Sequence, residues 1–410
     1  MTLASRWARP VVLFGVIAAA VSIASTRGEA HKPITSKYTF NEDVFPIFRD
    51  KCGRCHVEGG VAPMSLMNYQ DAFPWAESIR AELIASHMPP WNADGGFGEL
   101  KHANLLTARE VDVILTWTIG GNPPGDPSRT APPVTLKNEW AMGEPNLKLQ
   151  LPEFTVVADK MEETQEFTVA TGTTNPRWVR AVDLLPGNPS MVRSAAIYVK
   201  GATQSGTAPG PEHVLARWLP GQDPEPTQIG TAFSLPAGAE LGVRIHYKKT
   251  WQFERKVMVD RSTIGVYFAP EQSPQELFTL PIAEPATVEA KDRTLTFSQT
   301  IDEDMQALAL SPDQAPANIT LQVQAILADG SRAPMIRSKT RADWSRRYWF
   351  ERPIALPRGS RIEVVANLDD PDLLSAAFGG SFPPKPAAPA LPMRLALTVI
   401  PASAKPALAP

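Results

Sequence analysis

The stretch Cys52-Gly53-Arg54-Cys55-His56 contains the only two cysteines of the chain. A C-x-x-C-H run offers a haem two thioether attachments, followed by an imidazole that can ligate its iron. A dithiol redox pair, or a disulfide that happens to precede a histidine, is the alternative. No further cysteine exists to complete a zinc site. The run therefore predicts haem c attached covalently through Cys52 and Cys55, with His56 as an iron ligand.

The N-terminal residues have the pattern of an export signal. Arg6 and Arg9 precede an apolar run over residues 11–24, and small residues follow. This order is typical of a cleavable signal peptide, and the run is shorter than a membrane span requires. We expect cleavage after Ala30 and a periplasmic or secreted protein, with membrane attachment only if the signal is retained. Cleavage there would make His31 the N-terminus, but copper binding by its amine and imidazole needs a second histidine nearby and is not expected.

Length and composition limit the remaining possibilities. The chain has 410 residues, a net charge of −3 and 41 prolines. This length suggests two or three structural units. The near-neutral charge gives no electrostatic basis for binding nucleic acid. The proline content favours turns and edge strands over long helices.

The first part of the chain has helical periodicity up to about residue 121. Asn41 is a candidate cap for a helix that leads into the cysteines. Apolar residues over 69–86 recur at helical spacing, and Thr107-Ala108-Arg109-Glu110 has the pattern of a capping box that begins a third helix. Three helices around a C-x-x-C-H run predict an all-α cytochrome c domain over residues 31–121, after a signal peptide over residues 1–30.

The sequence pattern changes from helical to strand-like after this region. Five prolines between residues 122 and 133 mark a linker, which we place at residues 122–145. Short alternating runs typical of strands then follow at 167–170, 178–184, 195–199, 241–247, 263–268, 319–326, 362–366 and 395–400. Many strands without intervening helices predict antiparallel β-sandwiches. We expect one at 146–270 and one at 271–402, followed by a tail at 403–410.

A haem iron held by His56 needs a second protein ligand or an open face. The candidates are Met64, Met67, His87 and Met88. Met88 is favoured because two prolines follow it and enforce an extended chain that can hold a side chain against the haem edge. Met64 remains an alternative, and His87 would give bis-histidine ligation. The ordinary role of any methionine here is to fill the core.

Several motifs together resemble one group of bacterial secreted proteins. In the first part these are Phe40-Asn41-Glu42-Asp43-Val44, the C-x-x-C-H run, Ala62-Pro63-Met64-Ser65-Leu66, Trp75-Ala76-Glu77-Ser78-Ile79-Arg80 and Met88-Pro89-Pro90-Trp91. Weaker matches follow at Arg217-Trp218-Leu219-Pro220-Gly221, His246-Tyr247 and Leu356-Pro357-Arg358-Gly359. The group fuses a cytochrome c domain to a copper type II, ascorbate-dependent monooxygenase-like module related to peptidylglycine hydroxylating monooxygenase. The resemblance implies Met88 as the distal ligand and a fold class of an all-α cytochrome c domain followed by two antiparallel, jelly-roll-like β-sandwiches.

The chain departs from this group at the copper ligands. Where the group has a His-His pair, this chain has Arg193-Ser194, and arginine cannot ligate copper because it stays protonated. Only His213 and His246 lie in the β half. Copper is therefore not expected, with His246 as the remaining candidate ligand and Met258 as its possible soft partner. Asp369-Asp370-Pro371-Asp372 fits a solvated acidic turn better than a calcium site.

The sequence thus favours an exported monohaem c-type electron-transfer protein that meets a redox partner protein. Its β half would be a scaffold or docking module. Two alternatives stay open: a haem-linked, copper-dependent monooxygenase with an atypical copper site, and a binding module that carries haem as a sensor.

Overall fold

The computed structural model describes residues 35–201, 213–270, 274–285, 291, 293–341, 344–368 and 393–402. The predicted signal peptide, His31, the acidic turn at 369–372 and the tail at 403–410 lie outside these residues. Within the part of the chain that is described, every helix is too short or too polar to span a bilayer.

The N-terminal region, residues 35–146, contains short helices joined by long irregular segments. A helical run begins with a π-helical turn at Phe40–Val44, continues through α1 (Phe45–Ile47) and ends with a second π-helical turn at Phe48–Cys52. The remaining helices are α2 (Tyr69–Ala72), a 3-10 turn at Phe73–Trp75, α3 (Ala76–Ile84), α4 (Ala108–Ile119) and a 3-10 turn at Pro127–Arg129.

The helix ends test two sequence predictions. Thr107 caps α4 in a capping box with Glu110, which confirms that prediction. The prediction that Asn41 caps the first helix is wrong. The helical run begins at Phe40, so Thr39 holds the cap position, and the Asn41 side chain donates to the carbonyl oxygen of Gly125. The helices enclose a small aromatic core that includes Phe40, Phe48 and Trp117.

The first β unit consists of β1 to β11. Their bounds are β1 (Leu147–Gln150), β2 (Phe154–Val156), β3 (Glu162–Ala170), β4 (Arg177–Leu185), β5 (Val192–Val199), β6 (His213–Trp218), β7 (Thr231–Leu235), β8 (Glu240–Lys248), β9 (Met258–Asp260), β10 (Thr263–Phe268) and β11 (Gln275–Glu276). A 3-10 turn at Trp251–Phe253 precedes β9. One sheet has the order β1-β10-β4-β7-β11, a second has β3-β8-β5-β6, and β2 pairs with β9. Apolar residues from both larger sheets form one shared core.

The second β unit consists of β12 to β19. Their bounds are β12 (Phe278–Ala283), β13 (Thr294–Thr300), β14 (Met305–Gln314), β15 (Thr320–Ile326), β16 (Arg332–Lys339), β17 (Tyr348–Leu356), β18 (Arg361–Asn367) and β19 (Arg394–Pro401). The sheets β12-β19-β14-β17 and β13-β18-β15-β16 are antiparallel and enclose a second core. Alternation of buried and exposed residues places one face of each strand inward, as in β15 and β18.

Residues 92–101, which we term the bridging segment, connect the N-terminal region to the second β unit. Ala93 pairs with Ser338 of β16, and Leu100 pairs with Phe350 of β17. These two strands are edge strands of different sheets, so the segment covers an open edge of each. Trp91, just before it, is buried in the core of the second β unit.

The predicted fold class is wrong, because the described residues contain no all-α cytochrome c domain. Strands predominate over helices in the described residues, and the longest helix there, α4, has 12 residues. Prolines and glycines divide the helical pattern, and residues 92–101 pair with β strands instead of closing a helical bundle. Local periodicity could not reveal this, because the partners of these residues lie far along the chain.

Candidate functional site

The C-x-x-C-H run forms a tight turn at the end of the second π-helical turn. The backbone N–H groups of Cys55 and His56 both donate to the carbonyl oxygen of Cys52, at 3.1 and 2.9 Å. Cys52 and Cys55 are free and partly buried. The turn therefore places both thiols and the imidazole within one compact stretch of backbone.

The thiols are poorly suited to redox exchange. Burial raises the pKa of Cys52 to about 12, and the adjacent Cys55 adds to this shift. Burial also raises the pKa of Cys55 to about 11, although Arg193, Arg54 and Arg346 oppose the change. Dithiol oxidoreductases need a thiolate of lowered pKa. The raised pKa values thus disfavour the dithiol alternative, because both thiols stay neutral.

A following loop fixes the His56 imidazole. Its Nδ1 lies 3.1 Å from the carbonyl oxygen of Met64. Since a carbonyl can only accept, Nδ1 carries the hydrogen, and in the neutral ring the lone pair is on Nε2. Burial lowers the pKa of His56, which favours the neutral form. An imidazole whose Nδ1–H is held by a backbone carbonyl is the usual arrangement for a metal ligand that binds through Nε2.

The candidate distal ligands have different surroundings. The Met64 backbone carbonyl supports the Nδ1 edge of His56, and the Met64 side chain packs against the N-terminal core. Met67 is buried in the N-terminal core. His87 is engaged through Nδ1 with the Glu82 carboxylate at 3.0 Å. Met88 is partly buried in the turn after α3.

Both β units contact the motif and its surroundings. From the first unit, Arg193 donates to the carbonyl oxygen of Val61 at 3.2 Å, and the Pro220 carbonyl oxygen lies 3.6 Å from Cys55 Sγ. Arg54 of the motif donates to the carbonyl oxygen of Gly221 and to a carboxylate oxygen of Asp223. From the second unit, Arg346 donates to the carbonyl oxygen of Pro90 at 2.9 Å.

Sequence reasoning missed the role of these arginines. Arg193 and Val61 are 132 residues apart, and Arg346 and Pro90 are 256 residues apart. No local pattern links such positions. The sequence offered only the adjacent pair Arg346-Arg347 before a strand, and the structure gives the pair its meaning, because both residues are more than nine-tenths buried, which is rare for arginine.

The residues considered for copper occupy other roles. Arg193 lies at a β-bulge in β5 and also donates to the Lys248 carbonyl oxygen. His246 lies with its Nδ1 3.1 Å from Thr164 Oγ1 and its Nε2 3.5 Å from a Glu162 carboxylate oxygen. Met258 is buried in the core of the first unit, whereas His246 lies on the other face of β8. The described residues contain no group of three or more His, Cys, Asp or Glu side chains placed to hold a metal ion.

His213 is a buried residue at the start of β6. Its ring makes an edge-to-face contact with Phe233, with centroids 5.9 Å apart. Burial, reinforced by the nearby Arg347 charge, lowers its pKa to about 4. His213 is therefore neutral at physiological pH and belongs to the boundary between the two β units.

Comparison with known proteins provides no family for the chain. It matches no protein-family model and no curated protein sequence. A quasi-atomic model of the PBCV-1 virus capsid is similar at 7% identity, covering 62% of this chain and 93% of that chain with a TM-score of 0.24. Oxalate decarboxylase of Bacillus subtilis is similar at 8% identity, covering 65% and 80%, with a TM-score of 0.12. Both scores are too low to support an argument about fold or function.

Proposed function

We propose that the chain is a monohaem c-type electron-transfer protein. Cys52 and Cys55 would attach the haem through thioether bonds, and His56 Nε2 and Met88 would ligate the iron. Bound haem would supply a one-electron couple between ferric and ferrous iron. The haem-binding segment is not an independent helical domain, because both β units pack against it.

The geometry of His56 is the observation that supports this proposal most directly. Its Nδ1–H is held by the Met64 carbonyl oxygen, so Nε2 presents a lone pair immediately after two neutral thiols. No hydrogen bond to Nε2 occurs among the described residues.

The β units fit the role of a scaffold better than that of a copper enzyme. Arg193 replaces the expected ligand pair and holds the loop after the C-x-x-C-H run through Val61. His246 is engaged with Thr164 and Glu162. No specific observation favours the copper monooxygenase alternative. The remaining part of the proposal is export to the periplasm or beyond, where haem c is attached and where a redox partner protein would be met.

Covalent attachment is the decisive test of this proposal. The full-length chain should be produced in a host that matures cytochromes c and then denatured. We expect one haem to stay with each chain and to undergo reversible one-electron reduction before denaturation. The double variant Cys52→Ser, Cys55→Ser should lose the attached haem, because both thioether bonds are removed. Haem that acid and organic solvent extract from the unsubstituted chain would contradict the proposal.

A further inference from the structure

Arg346 is a buried cation beside the candidate haem site. It precedes β17, and only 9% of its surface is exposed. Its Nε is buried and has no hydrogen-bond partner. Buried arginines are normally paired with carboxylates or satisfied by several acceptors. Arg346 is therefore under-satisfied in the chain alone.

The groups that contact the Arg346 guanidinium are uncharged. Its Nη2 donates to the Pro90 carbonyl oxygen, and its guanidinium lies 4.8 Å from the Trp91 ring centroid and 5.9 Å from that of Tyr348. No carboxylate pairs with it among the described residues. Arg217, another largely buried arginine, is by contrast paired with Asp313 at 2.7 Å.

The location of Arg346 indicates where a counter-charge would come from. Through Pro90 it contacts the Met88-Pro89-Pro90-Trp91 segment, which carries the candidate distal ligand. It is also close enough to Cys55 for the two side chains to interact electrostatically. The guanidinium thus contacts the segment that would supply the distal ligand and lies in the neighbourhood of a thiol that would hold the haem. A c-type haem carries two carboxylates, and arginine pairs with carboxylates in a planar, bidentate geometry.

We infer that Arg346 pairs with a carboxylate of haem attached at Cys52 and Cys55, so that the second β unit completes the haem pocket. This inference rests on the proposed function. It gives the second β unit a direct electrostatic role, because a fixed positive charge near the iron favours the ferrous state, which carries one positive charge fewer.

Charge substitution in the haem-loaded, full-length protein tests this inference. Arg346→Gln should shift the one-electron reduction equilibrium about tenfold toward ferric haem, which corresponds to a potential about 59 mV lower. The resonance Raman bending band of the haem carboxylates should shift in the same variant. Arg346→Lys keeps the charge and should keep the potential close to that of the unsubstituted protein. Arg337→Gln is the matched control, since Arg337 lies in the same β unit but pairs with the exposed Asp94.

The outcomes separate this inference from the proposed function. An unchanged potential and Raman band in haem-loaded Arg346→Gln would overturn the inference alone. A potential in Arg346→Lys as low as that in Arg346→Gln would also overturn the inference. The potential would then depend on the shape of the side chain and not on its charge. Should Arg346→Gln fail to fold, a potential in Arg346→Lys about 59 mV below that of the unsubstituted protein would overturn the inference, because the retained charge should keep the potential. Absence of covalent haem from the unsubstituted chain would instead overturn the proposed function.

Discussion

At the scale of single residues, His56 shows what the sequence can and cannot reveal. The residues that would attach haem are contiguous, so their spacing alone identifies them. The hydrogen bond from Nδ1 to the Met64 carbonyl oxygen depends on how the loop after His56 folds back. Sequence reasoning therefore kept Met64 as a possible distal ligand, although its backbone supports the proximal histidine. The two arginines near the motif were missed because their partners are more than a hundred residues away.

Replacement of Met88 tests the distal ligand. Met88→Ala should open a coordination position to carbon monoxide or imidazole and lower the reduction potential, because a thioether ligand favours ferrous iron. Ligand titration followed by absorption spectroscopy measures the open coordination position, and a redox titration measures the potential.

Two neighbouring variants are matched controls for Met88→Ala. Met64→Ala keeps the backbone carbonyl that holds His56, and His87→Ala removes a side chain engaged with Glu82. Both should leave the iron ligands intact. An unchanged ferric spectrum in Met88→Ala would move the assignment to another side chain.

At the scale of elements, strands were easier to predict than helices. Each of the eight predicted strand segments overlaps an observed strand. Buried and exposed residues alternate in some of them, such as β15 and β18, whereas β10 and β19 are buried along most of their length. The helices in the N-terminal region were also indicated, but not their shortness or their surroundings. The bridging segment has no periodic pattern of its own, and it pairs with β16 and β17 only because those strands leave open edges.

The turn at Gly221 is an element whose backbone depends on a contact with the haem-binding motif. Gly221 has φ +72°, and a Cβ there would lie 2.9 Å from Arg54 Cβ and 3.0 Å from Cys55 Sγ. Gly221→Ala should lower the free energy of unfolding by about 2–3 kcal/mol, from backbone strain and from steric overlap. Chemical denaturation measures the change.

Gly172 provides the comparison for this prediction. It has φ +66°, but a Cβ there would have no atom within 4 Å. Gly172→Ala should therefore lower the free energy of unfolding by only about 1 kcal/mol, from backbone strain alone. Equal losses of unfolding free energy in Gly221→Ala and Gly172→Ala would show that steric contact with the motif does not constrain the turn at Gly221.

At the scale of the whole molecule, the N-terminal region and the second β unit share a core. Trp91 is 8% exposed and packs against Tyr348 in an edge-to-face contact with centroids 5.5 Å apart. A protein built in this way should lose its haem environment and its β structure together. Trp91 and Ala93 thus cross the boundary that the sequence pattern predicts between a haem-bearing part and a β half.

Truncation of Trp91 tests this shared core. Trp91→Ala should lower the free energy of unfolding by about 3–5 kcal/mol, because a large side chain leaves a cavity between the two parts. Haem absorbance and far-ultraviolet circular dichroism should report one transition in the unsubstituted protein. Trp251→Ala is the control, since Trp251 is 57% exposed, and should cost about 1 kcal/mol or less. Two well-separated transitions in the unsubstituted protein would contradict the prediction.

The contact between Cys55 and Pro220 also determines when the protein can be loaded. The thiol is covered by a turn that lies 165 residues further along the chain. An enzyme that forms thioether bonds needs open access to both sulfur atoms. For a chain that takes haem at Cys55, attachment must therefore be complete before the first β unit closes over the motif. For such a chain, a folded apoprotein would be a dead end of biogenesis.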